Sequence, residues 1–318
     1  MQTANYEDRV ALLVKLIPYV AQEDTLALKG GTAINMFVWE MPRLSVDIDL
    51  TYLPFDNRKT ALQNISNSLM RLKQRVESDI RGIKIEPVYS TDNSAIKINC
   101  ILGNDEVKIE VNTTMRGNIY PTRQAPLTEK AQEYFNTFAE MKLMSIGEIM
   151  GGKICAALDR QHPRDLFDIH NLFLRGGITP EIKEGFIAGL LSNNKPLSET
   201  LAPHLKDQRQ AFANQFEGMT AQPFSYADFE KAQAKLFSSI SSILTDQDKQ
   251  LILSIKAGEP DWSLSKIERL KDLPAVQWKL QNIRALKKQN PSGHKKALAK
   301  LESVLSAKHK DFGMEIGD

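Results

Sequence analysis

Asp47 and Asp49, two residues apart in a chain of 318, offer the first chemistry that this sequence could perform. Around them the pattern has a period of two. Val46, Ile48 and Leu50 fall on one side and Asp47, Asp49 and Thr51 on the other, so residues 45–53 read as a half-buried strand with its acids outward. Both carboxylates then leave one face at a spacing that lets them share a hard cation. Glu110 is a third candidate ligand, because Val107, Ile109 and Val111 alternate with Lys108, Glu110 and Asn112. Three carboxylates on adjacent strands suit Mg²⁺, which keeps several waters and takes the rest of its shell from a triphosphate. Two such ions clamp the attacking and leaving oxygens of an in-line displacement, which makes the reaction class phosphoryl or nucleotidyl transfer.

Upstream stands Gly30-Gly31-Thr32. Two residues without a Cβ let backbone N–H groups approach phosphate oxygens, and a following helix over 33–39, capped by Thr32, aims its positive end at them. The Thr32 hydroxyl adds a donor. Each motif alone has a plainer reading, a tight strand-to-helix turn or a solvated strand face; their combination carries the inference. Arg43 and Ser45, just ahead of the acids, either orient the pair or reach phosphate.

These residues need a scaffold. Val10, Leu13, Leu16, Ile17 and Val20 recur at helical spacing, with Pro18 placed to kink the helix. Leu26-Ala27-Leu28 is a short apolar run. A helix over 58–77 carries Leu62, Ile65, Leu69 and Leu72 as its stripe, and strands follow over 83–88, 94–102 and 106–112, the last two joined by a Gly103-Asn104-Asp105 hairpin turn. From about Thr128 the pattern is nearly all helical, punctuated by prolines. The expected architecture is α+β and bilobed: a mixed-sheet domain over 1–125 and a mainly helical domain over 126–318.

In the helical half, an apolar helix over 141–158 carries Lys153, which either snorkels or points into a cleft. Pro163 ends that helix and Arg164 opens the next, where Asp165 and Asp168 lie at i and i+3 and the plain reading of Asp165 is a local Arg/Asp pair.

Composition narrows the field. The chain is 42% hydrophobic and 25% charged, ordinary for a globular protein. Cys100 and Cys155 lie in apolar runs without metal or disulfide spacing and read as buried, reduced thiols, and the five histidines lack ligand spacing, so zinc is not expected. A polar N-terminus and the lack of any apolar run near eighteen residues point to a cytoplasmic protein with no membrane segment. Between residues 279 and 310 nine Lys or Arg face a single acid, Glu302, as a stripe that tracks a phosphate backbone or is merely a solvated helix. Trp262 and Trp278 flank that region, where they stack bases or, more plainly, pack in the interior.

Taken in order, Leu28-Lys29-Gly30-Gly31-Thr32-Ala33-Ile34, Arg43-Leu44-Ser45-Val46-Asp47-Ile48-Asp49-Leu50, Gly152-Lys153-Ile154-Cys155-Ala156-Ala157-Leu158 and Pro163-Arg164-Asp165-Leu166-Phe167-Asp168 resemble the AbiEii/AbiGii nucleotidyltransferase toxin family. The first two blocks share the signature of the wider DNA polymerase beta-like superfamily, and the related MenT toxins share the pattern. The resemblance spans roughly residues 26–175. It implies a type IV toxin–antitoxin or abortive-infection toxin that moves a nucleoside monophosphate from an NTP to RNA, with a tRNA 3′ end as the expected acceptor. It places Gly31 and Thr32 at the phosphates, beside the Gly30 that the turn itself offers for nucleotide binding, Asp47 and Asp49 at the metal, and Lys153 and Asp168 in the catalytic set, Asp168 as general base or as the group that positions the lysine. Glu110 stands where the superfamily commonly has Asp. A cognate antitoxin encoded nearby, with no need to bind directly, is the implied partner. The rivals are nucleotidylation of a small molecule or protein side chain, and a catalytically silent RNA-binding protein on the same scaffold.

Overall fold

The computed structural model describes residues 2–307, so Lys308, His309 and Lys310 of the basic stripe lie outside the described residues. By internal contacts the chain divides into two compact units. One comprises Met1–Met150 with Phe216–Pro223 and Asp272–Pro274; the other comprises Gly151–Gln215, Phe224–Lys271 and Ala275–Asp318.

The first unit is built on a mixed seven-stranded sheet. Its elements are α1 (Gln2–Val20), β1 (Leu26–Lys29), the short α2 (Gly30–Ala33) running into a wide π turn (Ile34–Val38), β2 (Asp47–Tyr52), α3 (Arg58–Asp79), β3 (Lys84–Tyr89), β4 (Ala95–Leu102), β5 (Asp105–Asn112), β6 (Arg123–Pro126), α4 (Glu129–Phe135) and β7 (Glu140–Leu143). Strand order is β3-β4-β5-β2-β1-β7-β6. The β2/β5 and β1/β7 pairs are parallel and the other four antiparallel. One face is apolar throughout its centre: Leu26, Leu28, Ile48, Leu50, Ile98 and Ile109 are at most 1% exposed. Helix α1 packs on β5 and β7, and α3 on β4. Burial of that face, at about 25 cal/mol per Å² of apolar surface, is what holds the acid-bearing face in place.

Three local expectations are corrected. The helix after the glycines begins at Gly30, without a side-chain cap, so Thr32 lies inside it and caps nothing. Residues 141–143, expected as the start of a helix, form β7; Met141 and Leu143 are two apart and fully buried, which is strand spacing, and α5 begins only at Ile146. With β6 and β7 in the sheet, the first unit runs past the expected boundary at 125/126 as far as Met150.

Helix α5 (Ile146–Arg160) crosses that change of unit, and the second unit continues as α6 (Pro163–Leu174), α7 (Pro180–Ser192), α8 (Leu197–Leu201), α9 (Arg209–Gln215), α10 (Tyr226–Ile243), α11 (Asp246–Ala257), α12 (Pro274–Gln289) and α13 (Pro291–Ser306). A Cβ on Gly151 would fall 2.2 Å from the backbone of Gly185 and Phe186, so α5 and α7 touch main chain to main chain. Ser225 and Thr245 close capping boxes at the starts of α10 and α11. Among the described residues no helix is long and apolar enough to cross a membrane.

Candidate active site

Strand register assembles the acid-bearing face of the first unit. Asp49 on β2 stands opposite Glu110 on β5 and opposite Lys29 on β1, and Glu110 stands opposite Lys97 on β4. Residues directly opposite point to the same side, so Lys29, Asp49, Glu110 and Lys97 make one row across four strands, with Asp47 on the same face one step along β2. Asp47 and Asp49 are half-buried, while Glu110 is exposed and pairs with Lys97 at 2.9 Å. An exposed pair of that kind contributes at most about 1 kcal/mol, so it does not bar Glu110 from another cation.

The glycine turn is shaped by the acids. Gly30 has φ +73°, and a Cβ there would lie 2.4 Å from Asp49 Oδ2. The turn therefore excludes a side chain because a carboxylate fills the space. A Cβ on Gly31 would come within 2.9 Å of both Arg43 Nη2 and Ser45 Oγ, which brings these two residues to the same turn.

Thr32 is fully buried, with its Oγ1 3.0 Å from Ser45 Oγ and 2.5 Å from the Asp47 carbonyl oxygen, to which it donates. Its hydroxyl thus fixes the start of the acid-bearing strand; this contact was not legible in the sequence. Arg43, 3% exposed, donates to the Leu44 carbonyl at 2.8 Å. The loop bearing Arg43 and Ser45 is tied down by chain far away in sequence: Leu44 N–H donates to the Met219 carbonyl at 2.7 Å and Thr220 Oγ1 to the Pro42 carbonyl at 2.8 Å.

Among the described residues no group of three His, Cys, Asp or Glu side chains could hold a metal by itself. The expected triad of Asp47, Asp49 and Glu110 is therefore aligned on one face but not closed into a cage. A hard cation that takes one or two carboxylates and completes its shell from phosphate and water is compatible with the Asp47–Asp49 pair alone.

Lys29 escaped the sequence reading. Leu26 and Leu28 alternate with Ala27 and Lys29, and the strand so turns the lysine to the acid side. Burial lowers the proton affinity of its ammonium below the ordinary lysine value, and the charges of Asp49 and Glu110 partly offset this.

The second unit holds a separate charged cluster. Lys153 on α5 is 6% exposed, and its Nζ lies 2.9 Å from Asp165 Oδ1 and 3.0 Å from Asp168 Oδ2, both on α6 and both at most 1% exposed. Arg160 closes on Asp165 through Nε at 2.5 Å and Nη2 at 3.0 Å. Burial by itself would raise the Asp165 carboxyl, but Lys153 and Arg160 outweigh it and hold the group well below the usual carboxylate range. The Arg/Asp pair expected of Asp165 is present, with Arg160, and the same carboxylate is turned inward to Lys153, where it joins α5 and α6. The lysine neither snorkels nor stands alone: two carboxylates hold its ammonium.

A model of the nucleotidyl transferase AbiEii toxins of type IV toxin–antitoxin systems matches residues 11–282. The chain belongs to the AbiEii toxin family. In fold this AbiEii protein is similar to MenT4, a nucleotidyltransferase toxin of Mycobacterium tuberculosis H37Rv, with a TM-score of 0.57 over 86% of this chain and 91% of that one, at 13% identity. No curated protein sequence matches the chain. Membership makes the protein a nucleotidyltransferase toxin of the type IV class. The two expected thiols of this toxin are buried and free, and burial pushes both Cys100 and Cys155 up to about 12.

Proposed function

We propose that this AbiEii toxin transfers a nucleoside monophosphate from an NTP to the 3′ end of an RNA, with tRNA as the acceptor class, and that Asp47 and Asp49 hold the Mg²⁺ this requires. The observation that carries the reading is the row in which Asp49 faces Glu110 across parallel strands while its carboxylate fills the space at Gly30 that a Cβ would need. The side-chain-free turn lets the Asp49 carboxylate pack directly against the backbone that, in this reading, meets the phosphates.

Bound Mg²⁺ would supply Lewis-acid stabilisation of the charge on the transferring phosphoryl group. Asp47 and Asp49 are its protein ligands in this reading, with Glu110 within the same row. In the reaction the acceptor hydroxyl oxygen bonds to the α-phosphorus, the bond from that phosphorus to the bridging oxygen breaks, pyrophosphate leaves with the electron pair, and the hydroxyl proton passes to a base. Gly30 and Gly31 let Asp49, Arg43 and Ser45 close on the turn, and Thr32 fixes Asp47 through its carbonyl. Arg43 and Ser45 border the turn, where a cation and a hydroxyl favour phosphate. Lys153 is assigned to triphosphate charge on the family resemblance, with Asp168, 3.0 Å from its Nζ, as the residue that would position it alongside Asp165.

The partners in this reading are the NTP, the RNA acceptor and an antitoxin encoded nearby, and the setting is the cytoplasm. Purified toxin incubated with Mg²⁺, total cellular RNA and each labelled NTP in turn is expected to label RNA with at least one of the four. Label in a small metabolite or in protein, with none in RNA, would replace the acceptor.

A further inference from the structure

The second unit carries a cavity of about 220 Å³ between the turn that follows α7 and the exposed side of α12. Its lining pairs one large aromatic ring with cations and amides: Trp278, Lys256, Lys279, Asn193, Asn194 and Asn282. No Asp or Glu lines it. Trp278 is 55% exposed, against the plain expectation of a tryptophan packed in the interior. A half-exposed indole on the rim of a cavity offers a flat apolar surface to a partner. Asn282 follows it one helical turn later, so the amide stands beside the ring on the same stripe of α12.

The cations add an independent argument. Lys195, another lining residue, is engaged by Asp159, but Lys256 and Lys279 have no carboxylate partner among the described residues. Lys279 Nζ reaches only the Leu190 and Lys195 carbonyls, at 3.4 and 3.5 Å. Burial, and then the charge of Lys256, push Lys279 down to about 8. Two neighbouring ammonium groups that repel one another in a half-buried pocket are relieved by an anion. With α12 free of acidic residues from Pro274 to Gln289, the anion is drawn to a positive surface.

We infer that this cavity binds one unpaired nucleotide of the RNA acceptor, its base stacked on Trp278, its edge met by the asparagine amides and its phosphate by Lys256 and Lys279. The volume is below the roughly 300–1,000 Å³ typical of whole small-molecule sites, which suits a single nucleotide with the rest of the strand left outside. An aromatic platform beside amides and cations is the chemistry by which single-stranded RNA is held. The inference rests on the reading of RNA as the acceptor, and names where on the toxin that acceptor is gripped.

The test uses the full chain and a fluorescein-labelled single-stranded RNA of ten adenylates, with anisotropy as the readout at low salt. Trp278→Ala is expected to weaken binding about tenfold, Trp278→Phe to retain most of it, and Lys256→Gln with Lys279→Gln to weaken it and flatten its salt dependence. Quenching of tryptophan emission by the oligonucleotide is expected in the unaltered chain and lost in Trp278→Ala. Melting temperatures and sedimentation accompany each variant. Equal affinity in folded Trp278→Ala, or a change of oligomeric state with unchanged RNA binding, would overturn the proposal. Labelling of RNA by the unaltered toxin separates the two claims. RNA that is labelled while Trp278 proves irrelevant to binding defeats the cavity alone, and Trp278-dependent binding without labelled RNA defeats the acceptor alone.

Discussion

At the scale of single residues, the site turns on what is left out as much as on what is present. Gly30 combines φ +73° with the Asp49 carboxylate where a Cβ would sit. Gly30→Ala meets two costs: a left-handed alanine costs about 1–2 kcal/mol, and a contact of 2.4 Å requires the carboxylate to move. The second effect decides function, so the variant is expected to lose nucleotidyl transfer by about 100-fold or more while remaining folded, measured by NTP turnover beside a thermal melt. Asp47, Asp49 and Gly30-Gly31 were legible in the sequence because alternation and glycine pairs are local signals. Lys29 was legible in principle from the same alternation. The role of Thr32 was not, because its hydroxyl partner Ser45 is thirteen residues away and only the folded turn brings them together.

At the scale of elements, two joints hold side chains of the proposed site. Asp165 ties α6 to α5 through Lys153 and Arg160 while fully buried. Because its folded carboxyl is lowered, it contributes stability above the unfolded value of about 3.9 and loses it as the pH falls from there toward the lowered folded value. Asp165→Asn leaves Lys153 short of a buried partner and is expected to cost about 3 kcal/mol at pH 7, with the gap to the unaltered chain narrowing in denaturant titrations below about pH 4. A gap that stayed constant with pH would refute the assignment. The second joint is Thr220, which holds the loop of Arg43 and Ser45 through the Pro42 carbonyl. Thr220→Val is expected to cost about 1 kcal/mol, a melting shift of about 2–4 °C, and to slow transfer by more than that stability loss explains. Long periodic elements such as α3 and β4 were readable within a residue or two. The four residues of β7 were not, since a short i, i+2 pattern merges with the helix that follows, and the tie at Thr220 spans 178 positions.

At the scale of the molecule, α+β character and family showed in the sequence because four motif blocks fall in order along one chain. The division into units showed less well: the first recruits Phe216–Pro223 and Asp272–Pro274 from within the helical half, and hydropathy patterning does not register such returns. What joins these scales is the claim that the acids on β2 perform the transfer on which toxicity depends. The most direct measurement is pyrophosphate release, with incorporation of labelled nucleotide into RNA, by Asp49→Asn and Asp47→Asn beside the unaltered chain, with melting temperatures recorded for all three. A cation that supplies several kcal/mol of charge stabilisation implies a loss of at least about 100-fold in both variants, with folding retained and growth inhibition abolished in cells. Folded variants that still transfer nucleotide within a few-fold of the unaltered toxin would contradict it.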